Sequence, residues 1–202
     1  SWSHSIGAKY VAVEKTIYKP ANYSFQYLDP YPPGYDMLMG VLHQTNNSIS
    51  WTLKFFNALI ISLSLIFFFF FANLFMQSPS KALLSAFALA AMPAFFSHFI
   101  WATALSVTLF FVAFYSAQRS INDKKWILPA AISVAAIMLS QPSTAVIFGF
   151  MYAVYWLTSA AISKNIRINL LASAFAGVLI SIILWWGRLF LRGDIMRRDL
   201  PV

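Results

Sequence analysis

The side chains able to do chemistry are few in this 202-residue chain, which has 14 Lys and Arg, 6 Asp and Glu, 3 His and no Cys. Without cysteine, thiolate catalysis, disulfides and Cys-ligated zinc are excluded. His4, His43 and His98 are too dispersed for their spacing to define a metal cluster. No phosphate-binding glycine loop, dinucleotide fingerprint, HExxH helix or GxSxG elbow occurs. What remains are the carboxylates of the first fifty residues, Glu14, Asp29 and Asp36, and a late arginine cluster, Arg188, Arg192, Arg197 and Arg198. A carboxylate with a histidine beside it suits general-base work. Paired guanidinium groups suit phosphate oxygens, which they bind two at a time.

The elements that position these groups are apolar. The chain is 60% hydrophobic and 10% charged, whereas a soluble domain carries about 25% charged residues. A soluble fold of this size cannot hide so much apolar surface, and a bilayer can. Residues 1–50 are polar and aromatic, with one helix expected over residues 5–18, where Ile6, Tyr10, Val13 and Ile17 recur at helical spacing. The prolines of Asp29-Pro30-Tyr31-Pro32-Pro33-Gly34 forbid a helix interior and require a turn-rich loop. Asp29 reads locally as an Asx-type turn residue, and Asp36 as the N-cap of a helix over residues 37–43.

Six apolar runs come next, at about 51–76, 82–96, 100–117, 126–139, 144–162 and 168–191. About 20 apolar residues cross a bilayer core, so the fourth run is at the lower limit for a span and is open to a re-entrant reading. The expectation is an all-α polytopic membrane protein of about six transmembrane helices. An external, partly helical loop (1–50) precedes the bundle (51–191), and 192–202 starts a further external loop. With 1–50 outside, the inner loops carry Lys81, then Arg119, Lys124 and Lys125, then Lys164 and Arg167. The outer hairpins 97–99 and 140–143 carry no Lys or Arg, as the positive-inside rule asks. Trp51, Trp101, Trp126, Trp185 and Trp186 fall near run ends, where an aromatic belt sits. The formal charge of +8 is spread between apolar runs, not along one basic stripe, so nucleic acid is not an expected partner. The arginines after the sixth run fall on the outer side by the same parity, against the topological bias. They are either offset by Asp194 and Asp199 or mark a site for a lipid phosphate. Beginning at Ser1 with no signal-peptide pattern, the chain reads as an internal piece of a larger protein.

Two stretches of the first loop resemble one family. Ser1-Trp2-Ser3-His4 resembles the residues after the catalytic or metal-binding Asp of an Asp-x-Trp/Tyr-x-His stretch. Asp29-Pro30-Tyr31-Pro32-Pro33-Gly34-Tyr35-Asp36 resembles the Asp-Pro-Tyr, Pro-Pro-Gly landmark that lies further along the same loop. Both belong to the first external loop of GT-C-type polyprenyl-phosphate-dependent glycosyltransferases, in particular archaeal relatives of the oligosaccharyltransferase catalytic subunit. Met92-Pro93-Ala94-Phe95-Phe96-Ser97-His98 and Ser140-Gln141-Pro142 are similar to later turns of the same family. The stretch 99–105 carries no carboxylate where oligosaccharyltransferases have a second acidic motif, which points away from protein N-glycosylation and toward another transferase of the class or an inactive member.

The resemblance implies an integral membrane glycosyltransferase, of the plasma membrane, with residues 1–50 on the non-cytoplasmic side. A lipid-linked sugar on a polyprenyl-phosphate carrier would be the donor, with a divalent Mg or Mn ion as the implied cofactor and the membrane lipid or a larger protein complex as partners. It implies Asp29, His4 and Asp36 as catalytic groups, and Arg188, Arg192 and His98 as contacts to the donor phosphate. Two rival readings remain: a non-catalytic membrane subunit that keeps this architecture, and a transporter. Apolar runs nearly free of ionisable residues count against the transporter.

Overall fold

A computed structural model describes residues 2–17, 31–96 and 102–192, excepting the side chains of Trp2, Phe96, Leu189, Leu191 and Arg192. The described residues contain no strand. The helices are α1 (Trp2–Glu14), α2 (Gly34–His43), α3 (Ile49–Met76), α4 (Pro79–Ala90), α5 (Pro93–Phe96), α6 (Ala102–Ser120), α7 (Ile127–Ser140), α8 (Pro142–Ser163), α9 (Ile168–Ser181) and α10 (Gly187–Arg192). A 3₁₀ turn, Lys124–Trp126, leads into α7, and a π turn, Ile182–Trp186, joins α9 to α10.

The boundaries follow local chemistry. Ser48 starts α3 by accepting the Trp51 N–H at 3.3 Å, as an N-cap does. Gln77 ends that helix at φ 50, and Pro79 opens α4 in the first turn, where its missing N–H costs nothing. Pro142 does the same for α8, which Lys164 closes at φ 51. Asp123 caps the 3₁₀ turn by accepting the Lys125 N–H at 3.0 Å.

Each of the six apolar runs is helical over most of its described residues, and among the described residues three helices are long and apolar enough to cross a membrane: Ile49–Met76, Pro142–Ser163 and Ile168–Trp186. The expected second run is broken at Met92-Pro93, which leaves α4 with 12 residues, and α7 has 14. At 1.5 Å per residue these cover about 18 and 21 Å, short of the roughly 30 Å of a bilayer core. The expected outer hairpin 97–99 lies outside the described residues.

Helix α7 is the centre of the bundle, packed between α6 and α9 on small side chains. Ala130 and Ala131 are buried, and a Cβ on Gly177 of α9 would stand 2.6 Å from the Val134 Cβ and 2.7 Å from the Ala131 carbonyl. Such close approach of backbones is how helices associate where lipid removes the hydrophobic drive between them. Ala113, Phe114, Ala117, Phe148, Tyr152 and Leu170 complete this core. Buried hydroxyls bond carbonyls of their own helix, as with Thr108 to Ala104 at 2.9 Å, Ser133 to Pro129 at 2.8 Å and Ser173 to Leu170 at 2.8 Å. That leaves the interior without loose polar groups at those positions.

The two ends of the bundle are distinct. At one, α1 and α2 form a cap. Leu53 of α3 and Ala102 of α6 pack with Ala8, Tyr35 and Met39, while Tyr10 and Val11 pack with Trp185, Trp186 and Leu139. The starts of α3 and α6, the end of α7 and the π turn therefore share that end. At the other, the Asn169 amide donates to the Ser120 carbonyl at 2.7 Å, and the Tyr155 hydroxyl donates to Gln118.

Three expectations change here. Helix α1 occupies 2–14, not 5–18, and its buried face is Ala8, Tyr10 and Val11, while Ile6 and Val13 are exposed. Close contact with α2 requires small residues on that face, which displaces the apolar stripe. Asp36 is not an N-cap: α2 begins at Gly34, after Pro33, whose carbonyl accepts the Met37 N–H at 2.7 Å. Trp185 is buried under α1 instead of standing in an aromatic belt, whereas Trp51 is exposed and stacked on Phe55.

Candidate functional site

The cap joins the two stretches of the first loop. His4, from the first turns of α1, sets its Nδ1 2.8 Å from Oδ1 of Asp36 in the first turn of α2, across 32 residues of sequence. Asp36 is 1% exposed, and the His4 side chain is 13% exposed. The fit depends on a missing side chain: a Cβ on Gly7 would lie 2.3 Å from Oδ2 of Asp36. One turn further along, a Cβ on Gly40 would stand 2.9 Å from the Ala8 carbonyl and 2.8 Å from the Val11 Cβ. The two glycines let α1 and α2 approach closely enough for imidazole and carboxylate to meet.

Two tyrosines close around the imidazole. Tyr31 and Tyr35 present ring edges to His4, with centroids 5.6 and 4.9 Å away and interplanar angles of 65° and 71°. The Tyr31 hydroxyl donates to Oε1 of Gln141 and lies 3.4 Å from the Ser140 carbonyl, at the turn between α7 and α8. The Tyr35 hydroxyl accepts from Nδ2 of Asn57 at 2.6 Å, and the same amide donates to the Leu53 carbonyl at 2.6 Å. Gly34 rests on the end of α7, where a Cβ would come within 2.6 Å of the Leu139 carbonyl. The pair is thereby referenced to α3, α7 and α8 at once.

Burial pushes the Tyr31 phenol up to about 12, with the negative charge of Asp36 adding to the effect. Tyr35 is also pushed up to about 12, first by burial; the bond from Asn57 works the other way, and Asp36 adds to the rise. Both therefore stay protonated at neutral pH and serve as neutral hydrogen-bonding walls. Nδ1 of His4 faces the carboxylate, so the neutral tautomer that donates to Asp36 has Nε2 as its acceptor nitrogen. The arrangement can orient an imidazole as a base, or hold a hydroxyl-bearing molecule against it.

Among the described residues no group of three or more His, Cys, Asp or Glu converges. His4 and Asp36 are turned on each other, which does not fit the pair to a shared divalent ion. Asp29 and His98 lie outside the described residues, as does the Arg192 side chain. Arg188 is half-buried in α10, next to the π turn whose Trp185 packs under α1. His43 is turned away from the pair, with Nδ1 3.2 Å from the Thr52 hydroxyl. Tyr31, Tyr35, Asn57 and Gln141 were not foreseen as site residues. Asn57 carried a signal, as an amide inside a long apolar run, whereas the others read as loop composition.

Below the cap, an apolar cleft of about 640 Å³ opens between α7, α8 and α9, lined by Met138, Phe148, Tyr152, Trp156, Val178 and Trp186 among others. Its upper wall, Trp186, also packs against the Tyr10–Val11–Trp185 cluster of the cap. No family model, curated protein or solved structure matches this chain.

Proposed function

We propose that the chain is part of a GT-C-type integral membrane glycosyltransferase that moves a sugar from a polyprenyl-phosphate donor to an acceptor at the external face. The observation that carries the reading is the His4–Asp36 contact. It joins the two stretches that resemble one transferase loop, and it forms a carboxylate-oriented base. In this reading Nε2 of His4 takes the proton of the acceptor hydroxyl, and the acceptor oxygen bonds to the anomeric carbon. The bond between that carbon and the phosphate oxygen breaks, and polyprenyl phosphate leaves as the anion. Arg188, with Arg192 and His98, would receive that anion, and Asp29 would join the catalytic face. The apolar cleft below Trp186 has the right chemistry for the carrier's hydrocarbon, and its wall is shared with the cap.

The proposed topology puts the cap on the non-cytoplasmic side of the plasma membrane, with six crossings and the cations at 119–125 and 164–167 inside. The even crossing number is supported by the shared cap end of the α3 start and the π turn. The short α4 and α7 would then cross as parts of the bundle with their neighbours.

The test uses purified protein in lipid nanodiscs, with polyprenyl-phosphate-linked glucose and mannose as probes and released polyprenyl phosphate as the readout. H4Q and D36N should each lower release by about 10²-fold or more, the range of a general base, at unchanged expression. Release that survives both substitutions would reject the pair as the base. An inactive wild type with both donors would favour the non-catalytic subunit.

A further inference from the structure

We propose that the end of the bundle opposite the cap is a docking surface for anionic phospholipid headgroups, centred on Arg119. Among the described residues, that end carries Lys81, Arg119, Lys124, Lys125, Lys164 and Arg167 against the single carboxylate of Asp123. Asp123 is occupied as a helix cap, accepting the Lys125 backbone N–H at 3.0 Å. No ion pair involves any of these six cations among the described residues.

Arg119 is held for the task. Its guanidinium carbon lies 5.7 Å from the ring centroids of both Tyr115 and Trp126, which meet edge to face at 5.4 Å. Cation–π contact on two rings orders the planar group at low entropic cost and leaves its N–H edges for acceptors outside the protein. Arg167 begins α9, and its Nε is buried with no partner. The 2.7 Å bond from Asn169 to the Ser120 carbonyl ties the start of α9 to the end of α6, so both arginines stand at one helix junction.

The surroundings select a lipid over other polyanions. Leu128, Ile162, Ile166 and Ile168, at 63%, 86%, 64% and 69% exposure, form an apolar skirt directly beside the cations. A partner must therefore offer phosphate and hydrocarbon at adjacent depths. A nucleic acid offers phosphate without hydrocarbon, an acidic protein offers carboxylates in place of phosphate, and a phospholipid offers both at fixed adjacent depths. A cation near an anionic surface gains roughly fivefold in affinity.

The experiment reconstitutes the chain in nanodiscs of equal phosphatidylglycerol and phosphatidylcholine, extracts it in mild detergent and counts retained lipids by native mass spectrometry. Phosphatidylglycerol should be enriched roughly tenfold or more, less at 1 M salt, where screening is strong. R119Q/R167Q should bring the ratio near parity, K124Q/K125Q should lower it by about fivefold, and K9Q/K15Q at the cap should leave it unchanged. K124Q/K125Q alters only exposed side chains, so it reports even if the arginine variant does not fold. No enrichment in the wild type, or enrichment that survives both variants, overturns the proposal. So does displacement of the lipid by soluble glycerol phosphate, which would mark a site for free phosphate. The result is independent of any transferase activity.

Discussion

The cap end and the basic end of this bundle handle polarity in opposite ways. At the cap, a half-buried imidazole meets a buried carboxylate, walled by two tyrosines that hydrogen-bond to α3 and to the turn between α7 and α8. At the basic end, Lys81, Arg119, Lys124, Lys125 and Lys164 stay exposed, with Arg119 resting on two aromatic faces. A buried charged group is tolerated only where geometry supplies its partner, so the cap must be built to close tolerance. Exposed cations need no such fit, since water or lipid headgroups can satisfy them. The cap is accordingly the end with glycines at its contacts, Gly7, Gly34 and Gly40.

That contrast makes the cap fragile and the basic end tolerant. The largest effect should come from Gly34→Val. Its Cβ would sit 2.6 Å from a backbone carbonyl and 2.9 Å from the carbonyl carbon of Leu139, atoms that cannot swing aside. Overpacking of this kind costs about 3 kcal/mol, and it should lift α2 from α7. Unfolding in detergent would measure the loss, and a cost below about 1 kcal/mol would mean the cap floats on the bundle.

A smaller effect should come from the tyrosines. Their phenols are raised from 10.0 to about 12 in the folded state, so the native state holds protons that the unfolded chain has released. The stability they confer is complete below pH 10 and is lost progressively between pH 10 and 12, since stability falls wherever the native state binds more protons. Y31F/Y35F should flatten that pH dependence, while Y31F alone should cost about 1 kcal/mol at pH 7 through its bond to Gln141. An unchanged alkaline profile in the double variant would remove the tyrosines from the cap's energetics.

The smallest effect belongs to the basic end. K124Q/K125Q removes two exposed charges and should change stability by no more than about 0.5 kcal/mol. A loss above 1 kcal/mol in the same unfolding assay would show that these charges are structural and would erase the contrast between the ends.

Much of the bundle was legible because the apolar runs between Pro79, 119–125, Pro142 and 164–167 are long, and their breaks are local chemistry. Proline, a left-handed Gln77 or Lys164, and an Asp or Ser cap act on the residues next to them. The break at Pro93 was equally local, yet the apolar composition on both sides concealed it. Within the site, His4 and Asp36 were legible as residue types, and the resemblance implied that both act. That their two stretches meet was expected from the resemblance of both to one loop, but the atoms that meet were not legible, nor were Tyr35 with Asn57 and Tyr31 with Gln141, because these pairs are 32, 22 and 110 residues apart.

Local composition and period alone were enough to determine the helical class and the basic loops, while of six expected crossings three are helices long and apolar enough to span a membrane among the described residues. Only the tertiary structure decided that Asp36 faces His4 instead of capping α2, and that Trp185 lies under α1 instead of at a membrane boundary. The physical reason is the same in both cases. Which face of a short helix is buried depends on what packs against it: Gly7 admits Asp36 to His4, and Tyr10 and Val11 cover Trp185, partners distant in sequence that leave no periodic signal.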